Sequence, residues 1–410
     1  MRLLKLRVDG LTLFKNKRLE LDFIATDRVS RDEEGNVSDV TQLAGGSAVY
    51  TQNVMGIVGV NAAGKTTVLN LVRFVLGYMS GNYVMRQFAT GANLMSKLED
   101  RMTISCAFYE KGSYYLIESR LKAAAKRGDS TRMVEGSLVA PLVFEDEWLW
   151  ACPARMSRKA ILDIDQLKSD STLLLKRNGG AGDEHVLNDA QRTFLGDDMS
   201  IVSIITGRKS VPVEYPERSL PLVSLPTPVV QAFDSSVEYL NWNNENQVFH
   251  LKFKNEDAER VVNAAVATAM LSNGTVVGAE LVDRAIGALK SGGYLIVDEI
   301  ETGLNRSLVG TVIELFASPV TNPHGAALLF STHYSELLDV LRRKDNVIVL
   351  VRNESFETEV IKYSDRIARI ENKKSDVIIN NVIKGSMPKY PDVRAMRRYV
   401  RERVNGWRCD

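Results

Sequence analysis

The sequence predicts an α/β fold: a mixed sheet carrying a phosphate-binding loop, an N-terminal antiparallel β-subdomain, a helical or irregular insertion, and no long coiled coil. Three observations lead there. An apolar run from Val54 to Val58 meets a glycine-flanked turn, Gly59 to Thr66, which passes into the helical pattern Val68, Leu69, Leu71, Val72, Phe74, Val75, Leu76. Two later apolar runs, Tyr294 to Val297 and Ala326 to Phe330, read as buried strands ending in Asp298-Glu299 and in Ser331-Thr332-His333. The N-terminus, Leu3 to Val8 and Leu19 to Phe23, alternates as strands do, and Met102 to Tyr109 with Ser113 to Leu121 reads as a hairpin about Glu110-Lys111-Gly112.

The turn Gly59-Val60-Asn61-Ala62-Ala63-Gly64-Lys65-Thr66 reads G-x-x-x-x-G-K-T between a strand and a helix. Glycines let backbone N–H groups face a phosphate, and a helix starting near Lys65 points the positive end of its dipole at the same place. Lys65 is expected to reach the β- and γ-phosphates of a nucleoside triphosphate and the Thr66 hydroxyl to ligate Mg²⁺, with Gly59, Asn61, Gly64 and Thr67 completing the cofactor-binding set.

Composition bounds the rest. The chain has 410 residues, 45% hydrophobic and 25% charged, which suits two or three folded domains. With 52 Lys and Arg against 51 Asp and Glu, the overall field neither favours nor opposes nucleic acid, and any basic surface is local. Cys106, Cys152 and Cys409 lack CxxC spacing, so neither a disulfide framework nor a zinc site is implied. No run reaches membrane-spanning length and the N-terminus does not read as a signal peptide; a cytoplasmic protein without a membrane partner is expected.

Between these landmarks, Ala25 to Gly46 is expected to be an exposed loop and Gly81 to Lys97 irregular, with Gln87 either a γ-phosphate sensor or a surface residue. Ile161 to Leu175 and Asp189 to Ile205 are expected as short helices between turn-rich breaks, and the proline cluster near 211–229 as an extended linker back to the core. His185 and His250 have no partner at metal spacing and are taken as structural or surface residues. The expected organisation is a first lobe carrying the phosphate-binding loop over residues 1–121, an insertion and linker over 122–229, a second lobe over 230–370 and a basic helical tail over 371–410.

The second lobe carries the remaining candidates. Leu271-Ser272-Asn273-Gly274-Thr275 opens a helical pattern, where Ser272 and Gly274 make either an anion site or a plain helix cap. Asp298 is placed to hold Mg²⁺ and Glu299 to polarise an attacking water, unless the pair is a solvated strand end. His333 is placed to bond a γ-phosphate or the attacking water, or is structural. From Asp392 to Trp407, apolar Val393, Met396, Val400, Val404 and Trp407 recur at helical spacing opposite Arg394, Arg397, Arg398, Arg401 and Arg403. Such a helix suits nucleic acid, an acidic partner, or packing on its own domain.

On Gly56 to Thr67, Phe233 to Leu240, Leu271 to Gly278, Ile296 to Leu304, Phe330 to Asp339, Asn372 to Asp376 and Ile383 to Gly385, the sequence resembles ABC-type ATPases related to the SMC and RecF heads. Within these it is most similar to the stand-alone ATPases of bacterial anti-phage systems of the PARIS and AbiL types. Asn273 and Thr302-Gly303 depart from the usual pattern. The resemblance implies a head-to-tail homodimer around two ATP molecules, Ser272 and Gly274 of one subunit closing over the γ-phosphate held by Lys65 and Thr66 of the other. It further implies slow, regulatory hydrolysis, and a sensor or scaffold for an effector, expected to be a nuclease encoded nearby. The alternative is a RecF-like ATPase of repair that binds DNA directly.

Overall fold

The computed structural model describes residues 1–31, 33, 37–44, 46–81, 98–123, 142–180, 183–196, 199–207, 212–367, 372–388 and 390–405. Its strands are β1 (Arg2–Leu11), β2 (Arg18–Asp22), β3 (Val40–Gln42), β4 (Tyr50–Gln52), β5 (Val54–Gly59), β6 (Leu98–Glu110), β7 (Ser113–Ala123), β8 (Leu142–Ala151), β9 (Thr172–Lys176), β10 (Val213–Glu214), β11 (Val237–Asn243), β12 (Val248–Phe253), β13 (Arg260–Val262), β14 (Tyr294–Val297), β15 (Ala327–Thr332), β16 (Val347–Arg352) and β17 (Thr358–Lys362). Four helices matter most for the site and the tail: α1 (Lys65–Met79), α2 (Asn273–Ser291), α3 (Arg306–Ala317) and α4 (Tyr390–Asn405).

One sheet runs β10-β14-β15-β5-β16-β17. It is parallel from β10 to β16, and β17 closes it antiparallel. Apolar residues on both faces of these strands have somewhere to go, which is why β5, β14 and β15 are buried throughout. Met55, Ile57, Ile296 and Leu329 pack with α1 and with the second sheet, β2-β1-β6-β7-β8-β9, which is antiparallel. Val54, Val58, Leu295, Val297 and Phe330 pack on the other face with Leu281 of α2 and Val309, Ile313 and Phe316 of α3. The layers are therefore antiparallel sheet, α1, parallel sheet, and α2 with α3.

The β6–β7 hairpin turns at Lys111-Gly112 with both residues at positive φ, as a tight two-residue turn with the right twist requires. The expected boundary at residue 121 falls inside this antiparallel sheet: β8 pairs with β7 and β9 with β8, so strands on both sides of it share one ladder. Three expectations are corrected. Ile161 to Leu175 is not one helix: a short helix ends at Leu162, Asp163 caps a second by accepting from the Gln166 N–H, that one ends at Ser169, and β9 follows on β8. Within Ala25 to Gly46, Val40–Gln42 pairs with β4, and Asp39 and Val40 are buried. Asp189 to Ile205 holds two short helices. The proline-rich stretch is more than a linker, since β10 joins the parallel sheet beside β14. Gln87, Cys409 and Trp407 lie outside the described residues.

Strands β11, β12 and β13 form a small separate sheet whose core, including Leu240, Phe249 and Leu251, meets Val276 and Ala279 at the start of α2. His250 pairs there with Glu259 at 3.1 Å, and His185 lies 3.4 Å from the Leu174 carbonyl, so both have local structural partners. Among the described residues, no single helix is long and apolar enough to cross a membrane.

Candidate nucleotide site

The site lies where β5, β15 and β14 end, at the C-terminal edge of the parallel sheet, where such sheets bind ligands. Strand β15 stands between the strand that feeds the loop and the strand that ends in the two carboxylates. The residues after β15 are thereby set between Lys65 and Glu299.

Glycine is required at both ends of the loop, for different reasons. A Cβ on Gly59 would come within 2.4 Å of the Leu350 carbonyl oxygen on the neighbouring strand, and Gly64 caps α1 at φ +97. Between them Ala62 also takes a left-handed conformation, and Asn61 and Ala62 are exposed at the tip. Lys65 is 6% exposed, and its ammonium donates to the Gly59 carbonyl at 2.9 Å and to that of Val60 at 3.4 Å. Burial lowers its pKa, while the charges of Asp298, Glu299 and Glu301 oppose that shift. Thr67 is buried beneath the loop, whereas Thr66 is exposed.

Thr66 and Asp298 meet although 232 residues separate them: the Thr66 hydroxyl donates to Oδ2 of Asp298 at 2.7 Å. Ser331 Oγ donates to Oδ1 of Asp298 at 2.5 Å and accepts from the Glu299 N–H at 2.8 Å. Glu299 takes φ +49, its Oε1 lying 3.4 Å from His333 Nε2 and its Oε2 accepting from the Thr302 hydroxyl at 3.3 Å. Thr66 with Asp298, Glu299 with His333, and Lys65 within the field of both carboxylates thus lie at one end of the sheet.

Two residues join them unannounced by pattern. Ser331 links both carboxylate residues, and Glu301, 8% exposed, accepts from the His333 N–H at 2.7 Å through Oε1. Its Oε2 is buried without a partner among the described residues. The hydroxyl and carboxylate pair of Thr66 and Asp298 fits Mg²⁺, a cation that takes one or two protein oxygens and fills the rest of its shell with water and phosphate.

Ser272 and Gly274 sit elsewhere, at the start of α2. Ser272 accepts from the Thr275 N–H at 3.0 Å, so the helix-cap role is real, and the Ser272-Asn273 turn is exposed. In the same chain this turn packs on the segment after Glu299, Gly274 facing the Gly303 carbonyl. Behind it, the Phe233 ring lies so close to Gly278 that a Cβ there would come within 2.2 Å of it. The segment after His333 is tied to the C-terminal part: Ser375 donates to Asp339 through N–H at 3.0 Å and hydroxyl at 2.5 Å.

The basic tail is α4. Every described side chain on it is exposed except Val393, which is intermediate; Met396, Val400 and Val404 are 61%, 53% and 67% exposed. Among the described residues of its apolar stripe, Met396, Val400 and Val404 are not packed on the domain.

Searched against known proteins, the chain matches no family model and no curated protein. Among solved structures it is similar to the SMC head domain from Thermotoga maritima, at 13% identity and a TM-score of 0.38, over 88% of this chain and 99% of that chain. The strand order, loop and carboxylate positions above stand independently of that likeness.

Proposed function

We propose that the chain is an ABC-type ATPase, binding ATP with Mg²⁺ and hydrolysing it slowly. The convergence of Lys65, Thr66, Asp298, Glu299 and His333 at one end of a parallel sheet carries this reading. Lys65 and the loop N–H groups bind and orient the triphosphate. Thr66 and Asp298 would hold Mg²⁺, which neutralises phosphate charge when bound. Glu299 acts as base toward a water, and His333 beside it holds the far side of that water or the γ-phosphate. Phosphate release from ATP by the purified chain, stimulated by Mg²⁺, tests the proposal; no ATP binding by equilibrium dialysis at millimolar nucleotide would sink it.

The exposed turn at Ser272 and Asn273 supports a head-to-tail pair, in which this turn from one subunit closes over the triphosphate of the other. The work of such a pair is a switch in population, closed with ATP and open after hydrolysis, that a partner reads. The bare apolar stripe of α4 favours a protein partner, and we assign the chain the role of sensor and scaffold for an effector nuclease in bacterial anti-phage defence. Arg394, Arg397, Arg398, Arg401 and Arg403 on the same helix favour the second reading, a RecF-like ATPase that clamps DNA. Loss of phage protection in Lys65→Ala cells supports the first; ATP-dependent DNA binding by the chain alone supports the second.

A further inference from the structure

The loop after β10 leaves the edge strand at the same end of the sheet as Asp298 and Glu299. In it Arg218 takes φ +60, a left-handed conformation that a long side chain rarely adopts without restraint. The restraint is visible on both sides. The Glu217 N–H donates to Glu280 Oε1 at 2.7 Å, and the Ser219 N–H donates to Glu280 Oε2 at 3.0 Å. Glu280 is 1% exposed and belongs to α2, the helix that Ser272 caps. Arg284 of the same helix pairs with Glu214 at 3.2 Å, and Arg73 of α1 stacks 3.8 Å over the Tyr215 ring. The loop therefore stands where α2 and α1 put it.

From this cradle Arg218 Nη2 donates to the Asp298 carbonyl oxygen at 3.4 Å. The same peptide unit carries the Glu299 N–H, which Ser331 holds from the other side. A single peptide between the metal-holding carboxylate and the candidate base is thus pinned at its C=O by Arg218 and at its N–H by Ser331. The residue that follows, Glu299, is itself left-handed. Beside it, Arg218, Arg73, Tyr215, Glu299 and Thr302 are among the residues lining a cavity of about 120 Å³.

We propose that Arg218 is a positioning residue for Glu299, and that Glu280 makes this positioning depend on α2. The inference rests on Glu299 as the base in ATP hydrolysis. Whatever engages the exposed turn at Ser272 and Asn273 moves α2; Glu280 then moves the loop, and Arg218 releases or sets the peptide before Glu299. Hydrolysis is thereby made conditional on occupation of a turn that does not itself touch the water.

The test compares wild type with Arg218→Ala, Arg218→Lys and Glu280→Gln, measuring ATP Kd, kcat, and amide exchange of residues 298–304 in nucleotide-free protein. Arg218→Ala is expected to leave Kd within about twofold and lower kcat about tenfold, with faster exchange at the Glu299 amide. Arg218→Lys restores part of both, Glu280→Gln reproduces the Arg218→Ala effect, and the double variant is no worse than either single. A weakened Kd with unchanged kcat would make Arg218 a ligand contact instead, and unchanged exchange and kcat would equally overturn the proposal. Arg218 is exposed, so its variants keep the fold even where Glu280→Gln does not. If wild type neither binds nor hydrolyses ATP, the ATPase reading fails, while the exchange comparison still tests the pin.

Discussion

Asn273 and Gly303 occupy one another's space: a Cβ on Gly303 would lie 2.9 Å from Asn273 Nδ2. An amide side chain in the turn is thus matched by a missing side chain opposite. Gly303 also takes φ +78. Gly303→Ala is therefore expected to cost about 1 kcal/mol or more, chiefly through the left-handed backbone, and to lower the thermal midpoint. Adding Asn273→Gly removes the steric part and leaves the backbone part. Full recovery in the double variant, measured by calorimetry, would show that contact alone decides the residue at 303.

Lys65→Ala should abolish ATP binding. The ammonium is buried in the loop and already turned onto the Gly59 carbonyl, so no other described cation replaces it at that point of the loop. Asp298→Ala should instead leave ATP binding without Mg²⁺ nearly intact and remove the gain that Mg²⁺ gives, because its carboxylate meets Thr66 and not the loop N–H groups. Titrations of a fluorescent ATP analogue with and without Mg²⁺ separate the two losses; equal effects of both variants in both conditions would refute the division of roles.

Glu299→Gln should retain ATP and accumulate the closed pair. Glutamine keeps the length that reaches His333 and Thr302 but cannot accept a proton from water, so kcat is expected to fall by about 10² or more. Light scattering after gel filtration with ATP should then show a dimer that wild type forms only transiently. Hydrolysis at the wild-type rate would remove Glu299 from the role of base.

Much of this was legible because its causes are local. A glycine loop between an apolar strand and an apolar-periodic helix is written in consecutive residues, and so are the strands ending at Asp298 and His333. The rest depends on distant pairing. Thr172 to Lys176 becomes a strand because β8 offers an edge, which no residue of 161–175 announces. Ser331 sits between Phe330 and Thr332 without any pattern, and only the arrival of Asp298 and Glu299 just past the end of the neighbouring strand gives it its bonds. Glu280 is one charge among the apolar positions of a helix, and its partners lie over 60 residues earlier.

Acid should act through Asp345 at the far end of the parallel sheet, before β16. Burial alone raises its pKa, but the Arg343 guanidinium at 2.8 and 2.6 Å and the Thr26 and Asp27 N–H groups at 2.7 Å outweigh this and hold it below the usual carboxylate range. A lowered folded-state pKa gives stability that is present above the unfolded-state value and is lost as pH falls through the folded one. Asp345→Asn should be less stable by about 3 kcal/mol at neutral pH, since it leaves Arg343 without its carboxylate, and should show a shallower loss of stability as pH falls through and below the ordinary carboxylate range. Urea midpoints across that range measure both; parallel curves would exclude Asp345 as a source of acid sensitivity.

Removal of residues 390–410 decides what α4 is for. Its apolar positions Met396, Val400 and Val404 are more than half exposed, so deleting the helix takes little from the core, and the thermal midpoint should change by less than about 2 °C. Substituting the two faces separates the partners. Met396→Ser with Val400→Ser removes apolar area and leaves every arginine, so a protein partner is lost and nucleic acid binding persists. Arg397→Glu with Arg401→Glu reverses charge and leaves the stripe, so nucleic acid binding weakens and the slope of its affinity against salt becomes shallower. Binding is read with a labelled DNA duplex for the second pair of changes and by co-purification of the neighbouring gene product for the first. A midpoint lowered by many degrees on deletion would instead make α4 part of the fold itself, and its stripe a packed surface.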